Sequence, residues 1–453
     1  MSRFKYSDKE KQINRVLNYQ DLELKKIKKL DKDILEFRIT ETEELINSLG
    51  YSLDNIATHN DEYPNKVLVV PNWESLYKKA EETIEDNDNL ESLFTQEELN
   101  QNELAVKMLN EEFNSLYRLD KMDVTLSAGA GLLASVIDIL LVGVPKKTKD
   151  GLKAGPLSNY VRDWFDKKFP ESEMNRLANL KISKVPFDAQ DNRYTKEYVD
   201  GLSAYYHRLL SLGHDPLLGL VFGVLDILTG RMTTIDKKGK IVSQIMENYS
   251  DRKEADIFSA IAKLIIHFKS DINTSMGLPV PSMALFNLLQ FGNIGEAEQT
   301  IAEIVQGMYY EGYDFIHFCS MSIPTMIIEV IIRLGYGFKR IREGYSIKES
   351  IPISNDREKN PKLSTMLFIG HSIAASINAG KVYFSKDPLS INYSQWLVFI
   401  KYAYTQFKWV ILKKPQLREK YIREKSTGNI NLIYSEINSN FDEISESYVV
   451  IFE

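Results

Sequence analysis

The sequence predicts a mainly α protein, a large helical bundle with a charged N-terminal helical region and a small β-hairpin. Three observations indicate this fold. Apolar residues recur at helical spacing in most segments, and residues 126–144 form a long apolar run that carries one acid. The clearest strand-like alternation lies at 232–245, around the turn pair Lys238-Gly239.

Composition narrows the class of protein. The 453 residues include 43% hydrophobic and 26% charged side chains, which is typical of a folded chain of two or three domains. The net charge of −7 argues against nucleic acid as a partner. Cys319 is the single cysteine, so intrachain disulfides and zinc sites built on several cysteines are excluded. With no apolar signal segment near residue 1, we expect a cytoplasmic protein.

Charge divides the chain into three predicted parts. Residues 1–118 form a charged helical region, residues 119–411 an apolar helical core domain, and residues 412–453 a charged tail that ends in the strand-like YVVIFE. Within the first part, 96–117 is an amphipathic helix. The N-terminal helices are interpreted either as a cap folded over the rest or as an arm that binds a protein partner.

Within the core, helical patterns follow one another between turn signals. A helix is predicted from about Thr195 to Leu212, and GHDP at 213–216 ends it. Residues 170–193 have no regular pattern. The remaining predicted helices lie at 157–169, 253–268, 283–291, 296–311, 312–344, 361–380 and 393–411.

One pattern occurs twice in the core. Gly131, Ser135 and Asp138 have the same spacing as Gly219, Gly223 and Asp226. On a helix these positions share one side, so small residues would permit close approach of a neighbour and the acid would point towards it. We therefore expect two matched helices that bring their acids to a shared interior. Four interpretations of that interior remain open: a metal site, a general acid/base pair, a pore lining or a hydrogen-bonded core.

The run at 126–144 also approaches the length of a membrane span, which needs about 20 apolar residues. Lys146, Lys147 and Lys149 follow it, as basic residues follow many spans on the cytoplasmic side. Association with the inner face of a membrane is one interpretation. A soluble core whose central helices are apolar all round is the other.

His207, Arg208, His214 and Asp215 lie close together in the sequence, just before Asp226. Imidazole and carboxylate groups suit a divalent metal, so His214 and Asp215 are candidate metal ligands and His207 and Arg208 candidate binding residues. Asp215 precedes Pro216, which equally predicts a helix cap.

Three polar residues in the later apolar helices complete the candidate set. Glu329 and Arg333 are four residues apart and can pair on one helix face, as a binding site or a structural ion pair. His371 is a candidate catalytic residue with Asp138 and Asp226, or a core histidine. GxGxxG, GxxxxGK[ST] and GxSxG are absent, so no familiar nucleotide loop or nucleophile elbow is predicted.

The segments GLLASVIDILLVGVPK, SLGHDPLLGLVFGVLDILTG, GYDFIHFCSMSIP and LFIGHS resemble a group of bacterial helical proteins without an assigned activity. The likeness covers roughly residues 120–410. It implies a helical core and transfers no catalytic residue.

These features lead to three functional hypotheses. The first is a membrane-associated or self-assembling helical protein that disturbs or senses a bilayer. The second is a metal-dependent hydrolase that uses Asp138, His214, Asp226 and His371. The third is a soluble scaffold that binds a partner protein through residues 1–118.

Overall fold

The computed structural model describes residues 5–49, 66–84, 89–149, 151–274, 276–292, 294 and 298–452, and the predicted mainly α fold is confirmed. The α-helices in chain order are α1 (Asp8–Ser48), α2 (Trp73–Thr83), α3 (Gln96–Tyr117), α4 (Lys121–Ile137), α5 (Pro156–Lys168), α6 (Glu171–Ala178), α7 (His207–Leu210), α8 (Phe222–Thr229), α9 (Ile257–Asp271), α10 (Ile301–Tyr310), α11 (Phe315–Arg342), α12 (Ile347–Ser350), α13 (Leu363–Ser385), α14 (Tyr393–Lys408) and α15 (Lys414–Ser447).

The strands form two-stranded pairs. They are β1 (Lys66–Val70), β2 (Lys146–Thr148), β3 (Gly151–Lys153), β4 (Arg231–Ile235), β5 (Ile241–Ile245) and β6 (Tyr448–Phe452). β1 pairs in parallel with β6, while β2–β3 and β4–β5 are antiparallel hairpins. β4–β5 is the hairpin that the sequence predicts. Asp236 closes its turn by accepting hydrogen bonds from the N–H groups of Lys238 and Lys240, and Gly239 takes a φ of +81°.

The chain divides into two compact units. One consists of Met1–Leu116 with Lys413–Glu453, and the other of Tyr117–Leu412. The two charged end segments, which the sequence analysis treats as separate parts, therefore belong to one unit. Their association includes the β1–β6 pairing, which links residues almost 400 positions apart and which local sequence patterns do not reveal. All candidate site residues lie in the other unit.

Helices α4, α11, α13 and α14 form a bundle in the second unit. α4 and α13 approach closely because glycine faces glycine: a Cβ added to Gly131 would lie 2.5 Å from the carbonyl oxygen of Gly370. Asp138 begins a π-helical turn, Asp138–Val142, that continues α4. The N–H of Gly143, at a φ of +68°, closes that turn on the Asp138 carbonyl.

A second core lies around α8, α9 and the β4–β5 hairpin. Its buried side chains come from these elements and from the irregular segment before α7, and include Val185, Phe187, Val224, Met232 and Leu264. Gly213 and Gly219 lie where the chain passes closest to its neighbours. A Cβ on Gly213 would contact the Phe187 ring at 2.7 Å, and one on Gly219 would lie 2.6 Å from the Gly213 carbonyl oxygen.

The helix predicted from Thr195 to Leu212 is wrong for most of its length, because only His207–Leu210 is α-helical. Side chains satisfy the backbone of this segment instead. Asn192 Oδ1 accepts the Val199 N–H, and Gln244 Oε1 accepts the N–H groups of Lys196 and Glu197. These side-chain hydrogen bonds replace the helical ones, and those to Gln244 of β5 hold the segment against the hairpin.

The two matched segments do not share an interior. The Gly131 segment packs against α13, whereas Gly219 and Gly223 pack against the Gly213 turn and the α9 side chains Phe268 and Leu264. Close approach at the small residues is present in both places, but each has a different neighbour. The prediction that Asp138 and Asp226 lie in a shared interior is therefore wrong.

Candidate metal centre

Three histidines and two aspartates cluster in the second core. Asp188 comes from the irregular segment, His207 begins α7, and His214 ends a 3₁₀ turn, Leu212–His214. His267 and Asp271 are four residues apart on α9, so both project from the same helix face. The three histidines and Asp271 are buried, with Phe187 packed edge-on against the rings of His214 and His267.

The imidazole Nε2 atoms point at the carboxylates without forming hydrogen bonds. His207 Nε2 and His214 Nε2 lie 3.5 and 3.6 Å from Asp188 Oδ1. His214 Nε2 and His267 Nε2 lie 3.7 and 3.5 Å from Asp271 Oδ2. Four contacts of this length thus connect five ligand atoms, with His214 between the two carboxylates.

The other ring nitrogen fixes the tautomer of two histidines. Nδ1 of His207 lies 3.0 Å from the Ala204 carbonyl oxygen, and Nδ1 of His267 lies 2.9 Å from that of Ser183. A carbonyl only accepts, so each Nδ1 donates its proton and we assign a lone pair to each Nε2 when the ring is neutral. A lone pair that faces a carboxylate oxygen is repelled unless a proton or a metal cation lies between them.

The electrostatics favour ionised carboxylates beside a neutral His214 ring. Burial lowers the pKa of His214 to about 4, so this ring is neutral at pH 7. Burial opposes ionisation of Asp188, yet the rings of His207 and His214 hold its pKa well below its usual range. Burial also opposes ionisation of Asp271, but the charge of Arg208 holds the pKa of that carboxyl below its usual value.

Arg208 supports the cluster from one side. Its Nε donates to Asp271 Oδ2 at 2.7 Å, and the rest of the guanidinium binds Thr274 Oγ1 and the Met276 carbonyl. Three partners therefore hold the side chain, which orients Asp271. It supplies one positive charge for the two carboxylates of the cluster, which leaves one negative charge for a cation to balance.

The ligand types and spacing fit a first-row transition metal. Imidazole nitrogens and carboxylate oxygens bind zinc at about 2.0–2.2 Å, which places tetrahedral ligands about 3.3–3.6 Å from one another. The observed separations of 3.5–3.7 Å are close to that range. Asp188, His207 and His214 form one possible ligand group, and His214, His267 and Asp271 another. Since the single Nε2 lone pair of His214 serves one ion, the cluster offers one centre.

Asp188 lies on the side of the cluster nearest to solvent. Its side chain is 26% exposed, whereas the side chains of the three histidines are 3% exposed or less. The Oδ1 atom of Asp188, which faces the histidines, is itself buried.

Of the predicted site residues, His207, Arg208 and His214 come together here, but Asp215 does not join the ligand groups. Asp215 Oδ1 accepts the N–H groups of Leu217 and Leu218 at 2.9 Å, which is the capping role that its position before Pro216 indicates. Burial raises the pKa of this carboxyl.

Asp138 lies in the helical bundle, inside a separate polar network. Lys381 Nζ donates to its Oδ2 at 3.0 Å, and the amides of Asn378 and Asn392 donate to Oδ2 and Oδ1 at 3.2 and 2.6 Å. The carboxylate is buried and fully partnered. This arrangement fits a structural ion pair that fixes the π-helical turn against α13.

Within the described part of the chain, the hydrogen-bond partner of the Asp226 carboxylate is a nearby residue. Its carboxylate accepts the Thr233 N–H and the Thr233 hydroxyl, both at 2.8 Å, and so joins α8 to β4. Burial raises its pKa to about 6, since hydrogen bonds from one threonine offset burial only in part.

The remaining candidates meet within the bundle. Glu329 and Arg333 pair at 2.8 Å along α11, as their spacing predicts. His371 Nε2 lies 3.6 Å from Glu329 Oε1, and its ring stacks on Tyr402, whose hydroxyl donates to the same carboxylate. Burial opposes ionisation of Glu329, but His371, Tyr402 and Arg333 together lower its pKa to about 2. This group contacts neither Asp138 nor Asp226 in the hydrogen bonds and ion pairs described.

Asp188, His267 and Asp271 were not among the site residues predicted from the sequence. His267 and Asp271 had a signal, because a histidine and an aspartate four residues apart on an amphipathic helix share one face. Asp188 had none, since it lies in a segment without helical or strand periodicity. Comparisons with known protein families, with curated proteins and with solved structures found no match for this chain.

Proposed function

We propose that this chain binds one divalent transition-metal ion in the cluster of Asp188, His207, His214, His267 and Asp271, through one of the two ligand groups that share His214, and that the ion serves hydrolysis. The observation that carries the proposal is the set of buried Nε2 atoms directed at carboxylate oxygens beyond hydrogen-bonding distance. Two of these rings have their Nδ1 atoms on backbone carbonyls, as metal-bound histidines commonly do.

The chemistry of the donors favours a hydrolytic role. Nitrogen and oxygen ligands without thiolate suit zinc, manganese or iron(II). Such an ion lowers the pKa of a bound water and so supplies a nucleophile at neutral pH. Asp188 is the most exposed residue of the cluster, so we expect a substrate to reach the centre from its side.

Metal binding is tested directly on the full-length chain. The protein is freed of metal with a chelator, loaded with zinc, manganese or iron(II), and measured by inductively coupled plasma mass spectrometry. We expect one ion per chain. His214→Ala should weaken binding by about 100-fold or more, because His214 belongs to both ligand groups and loss of outer partners alone costs about 10–100-fold.

Asp226→Asn is the matched control, because it neutralises a buried acid outside the cluster and should retain the ion. A wild-type chain that holds no stoichiometric metal under any loading would refute the proposal. So would a His214→Ala variant that binds like wild type.

Hydrolysis is tested separately with a panel of phosphate esters, carboxylic esters and peptides. Turnover should require the added metal and should fall to background in His214→Ala while remaining in Asp226→Asn. If the chain binds one metal ion but hydrolyses none of these substrate classes, the ion has a structural role. In that case the metal should still raise the melting temperature.

A second function, association with a membrane surface, is favoured by the outer face of the bundle. On α4 the buried positions are small or polar, such as Ser127, Gly131 and Ser135. The exposed positions of α4 and of the π-helical turn that follows it are large and apolar, such as Leu132 and Leu140. α11 repeats the pattern at its exposed Val330, Leu334 and Phe338. Exposed apolar surfaces of this extent mark sites of association.

Two helical segments of the described chain, Gln96–Val142 and Phe315–Arg342, are long and apolar enough to cross a membrane by length and composition. We expect the purified protein to float with liposomes in a density gradient. Leu132→Glu with Leu140→Glu should abolish flotation and leave metal binding unchanged. Protein that stays at the bottom of the gradient, whatever the lipid, would refute membrane association.

A further inference from the structure

The unit Tyr117–Leu412 contains an apolar cavity of about 490 Å³, apart from the metal-centre residues. It lies between the 3₁₀ turn Met283–Leu288, helix α10, the turn at 388–391 and helix α14. Its volume is within the range of about 300–1,000 Å³ that is typical of small-molecule sites.

Two of the three lining side chains that carry a nitrogen or oxygen atom, Tyr313 and Trp396, are already hydrogen-bonded. Tyr313 donates its hydroxyl to the Ile391 carbonyl and accepts the Tyr393 N–H. Trp396 donates its indole N–H to Asn378 Oδ1 at 3.1 Å. The walls therefore offer almost no hydrogen bonds, and water gains little in a cavity that lacks two or more polar partners. An occupant that fits must be apolar.

The walls are also adaptable. Met283 and Met308 line the cavity, and unbranched thioether side chains adjust to a flexible ligand. At the rim, Leu397 and Ile400 of α14 are exposed to solvent. Lys401 is exposed and lies one helical turn from Leu397, on the same side of α14, where it can pair with an acidic head group.

From these features we propose that the cavity binds the acyl chain of a long-chain fatty acid, with the carboxylate at Lys401. The apolar walls exclude a polar ligand, and the cation one turn beyond the rim selects an anionic end. This proposal is independent of the metal centre, because no residue is common to the two sites.

Trp396 lines the cavity and serves as the reporter. A dibrominated stearic acid, added below its critical micelle concentration, should quench tryptophan fluorescence and saturate at one equivalent. Trp396→Phe should lose most of that quenching, while Trp164→Phe should keep it. Equal quenching in the two variants would overturn the assignment, since the bromine would then lie elsewhere.

Val305→Phe fills the cavity and should lower the affinity by about tenfold or more. Phe258→Ala, at an 81% exposed position on α9, removes apolar surface without touching the cavity and should leave the affinity unchanged. Lys401→Ala should weaken binding of the acid but not of stearyl alcohol. If circular dichroism shows that Val305→Phe does not fold, the comparison of Trp396→Phe with Trp164→Phe still tests whether the acyl chain lies in the cavity. If binding of the fatty acid does not saturate, and if Phe258→Ala reduces it, the fatty acid adsorbs to the surface. That result would refute the proposal.

Discussion

The segments around Asp138 and Asp226 share a sequence pattern but differ in every contact that matters. Asp138 has a lysine and two asparagines as partners, and these come from residues more than 230 positions away. Asp226 has one threonine seven residues away. A helix motif therefore sets where a carboxylate projects, whereas the neighbouring elements set its charge state and its role.

The first prediction tests the lysine partner and has the largest expected effect. Asp138→Ala leaves Lys381 and two asparagine amides without their acceptor in a buried site. Removal of one partner of a buried ion pair costs about 3–5 kcal/mol. We expect a loss of that size in the free energy of unfolding, measured with urea.

The double variant Asp138→Ala/Lys381→Met provides the control. It removes both charges and should recover part of the loss, which a double-mutant cycle would report as coupling. If the single and double variants are equally unstable, the ion pair is not what distinguishes Asp138 from Asp226.

The second prediction concerns the pH dependence of stability. The folded-state pKa of Asp226 is about 6, above the ordinary value of 3.8. Between these values the folded chain binds more protons than the unfolded chain, so stability falls as pH rises from about 4 to about 6. A shift of two units corresponds to about 2–3 kcal/mol.

Asp226→Asn should remove this component, so the unfolding free energy of wild type should drop relative to the variant between pH 4 and pH 6.5. Urea titrations at four or five pH values measure the difference. A constant gap between wild type and variant across this range would mean that burial does not raise the pKa of Asp226.

The third prediction compares two glycines on α4 and has the smallest effect. A Cβ at Gly131 meets the Gly370 carbonyl oxygen at 2.5 Å, whereas one at Gly129 meets nothing within 4 Å. Gly131→Ala should destabilise by about 2 kcal/mol through overpacking. Gly129→Ala should stabilise by about 0.5–1 kcal/mol, because alanine loses less entropy in a helix. Equal melting temperatures for the two variants would contradict the packing of α4 on α13.

Much of the local structure was predictable from residue patterns. Helical periodicity predicted the ends of α5, α9, α11, α13 and α14 to within a few residues, because apolar residues recur at helical spacing along each of these segments. The β4–β5 hairpin followed from its turn residues. The helix predicted from Thr195 was wrong up to residue 206, since the side chains of Asn192 and Gln244 accept the backbone N–H groups there and Gln244 lies 48 residues from Lys196.

The candidate site was only half predictable. His207, Arg208 and His214 are close together in the sequence, and they were predicted as site residues on that basis. Their partners Asp188, His267 and Asp271 come from segments before and after, and nothing in a local pattern connects these three parts.

By itself, then, the sequence determined the helical class, the hairpin and the side of each helix that carries a small residue or an acid, because these depend on spacing along one element. The tertiary structure alone decided which neighbour each of those sides meets. Asp138 meets Lys381, Asp226 meets Thr233, and three histidines meet two aspartates. The physical reason is that burial and charge pairing arise between elements distant in sequence, and these interactions set the protonation and chemistry of a side chain.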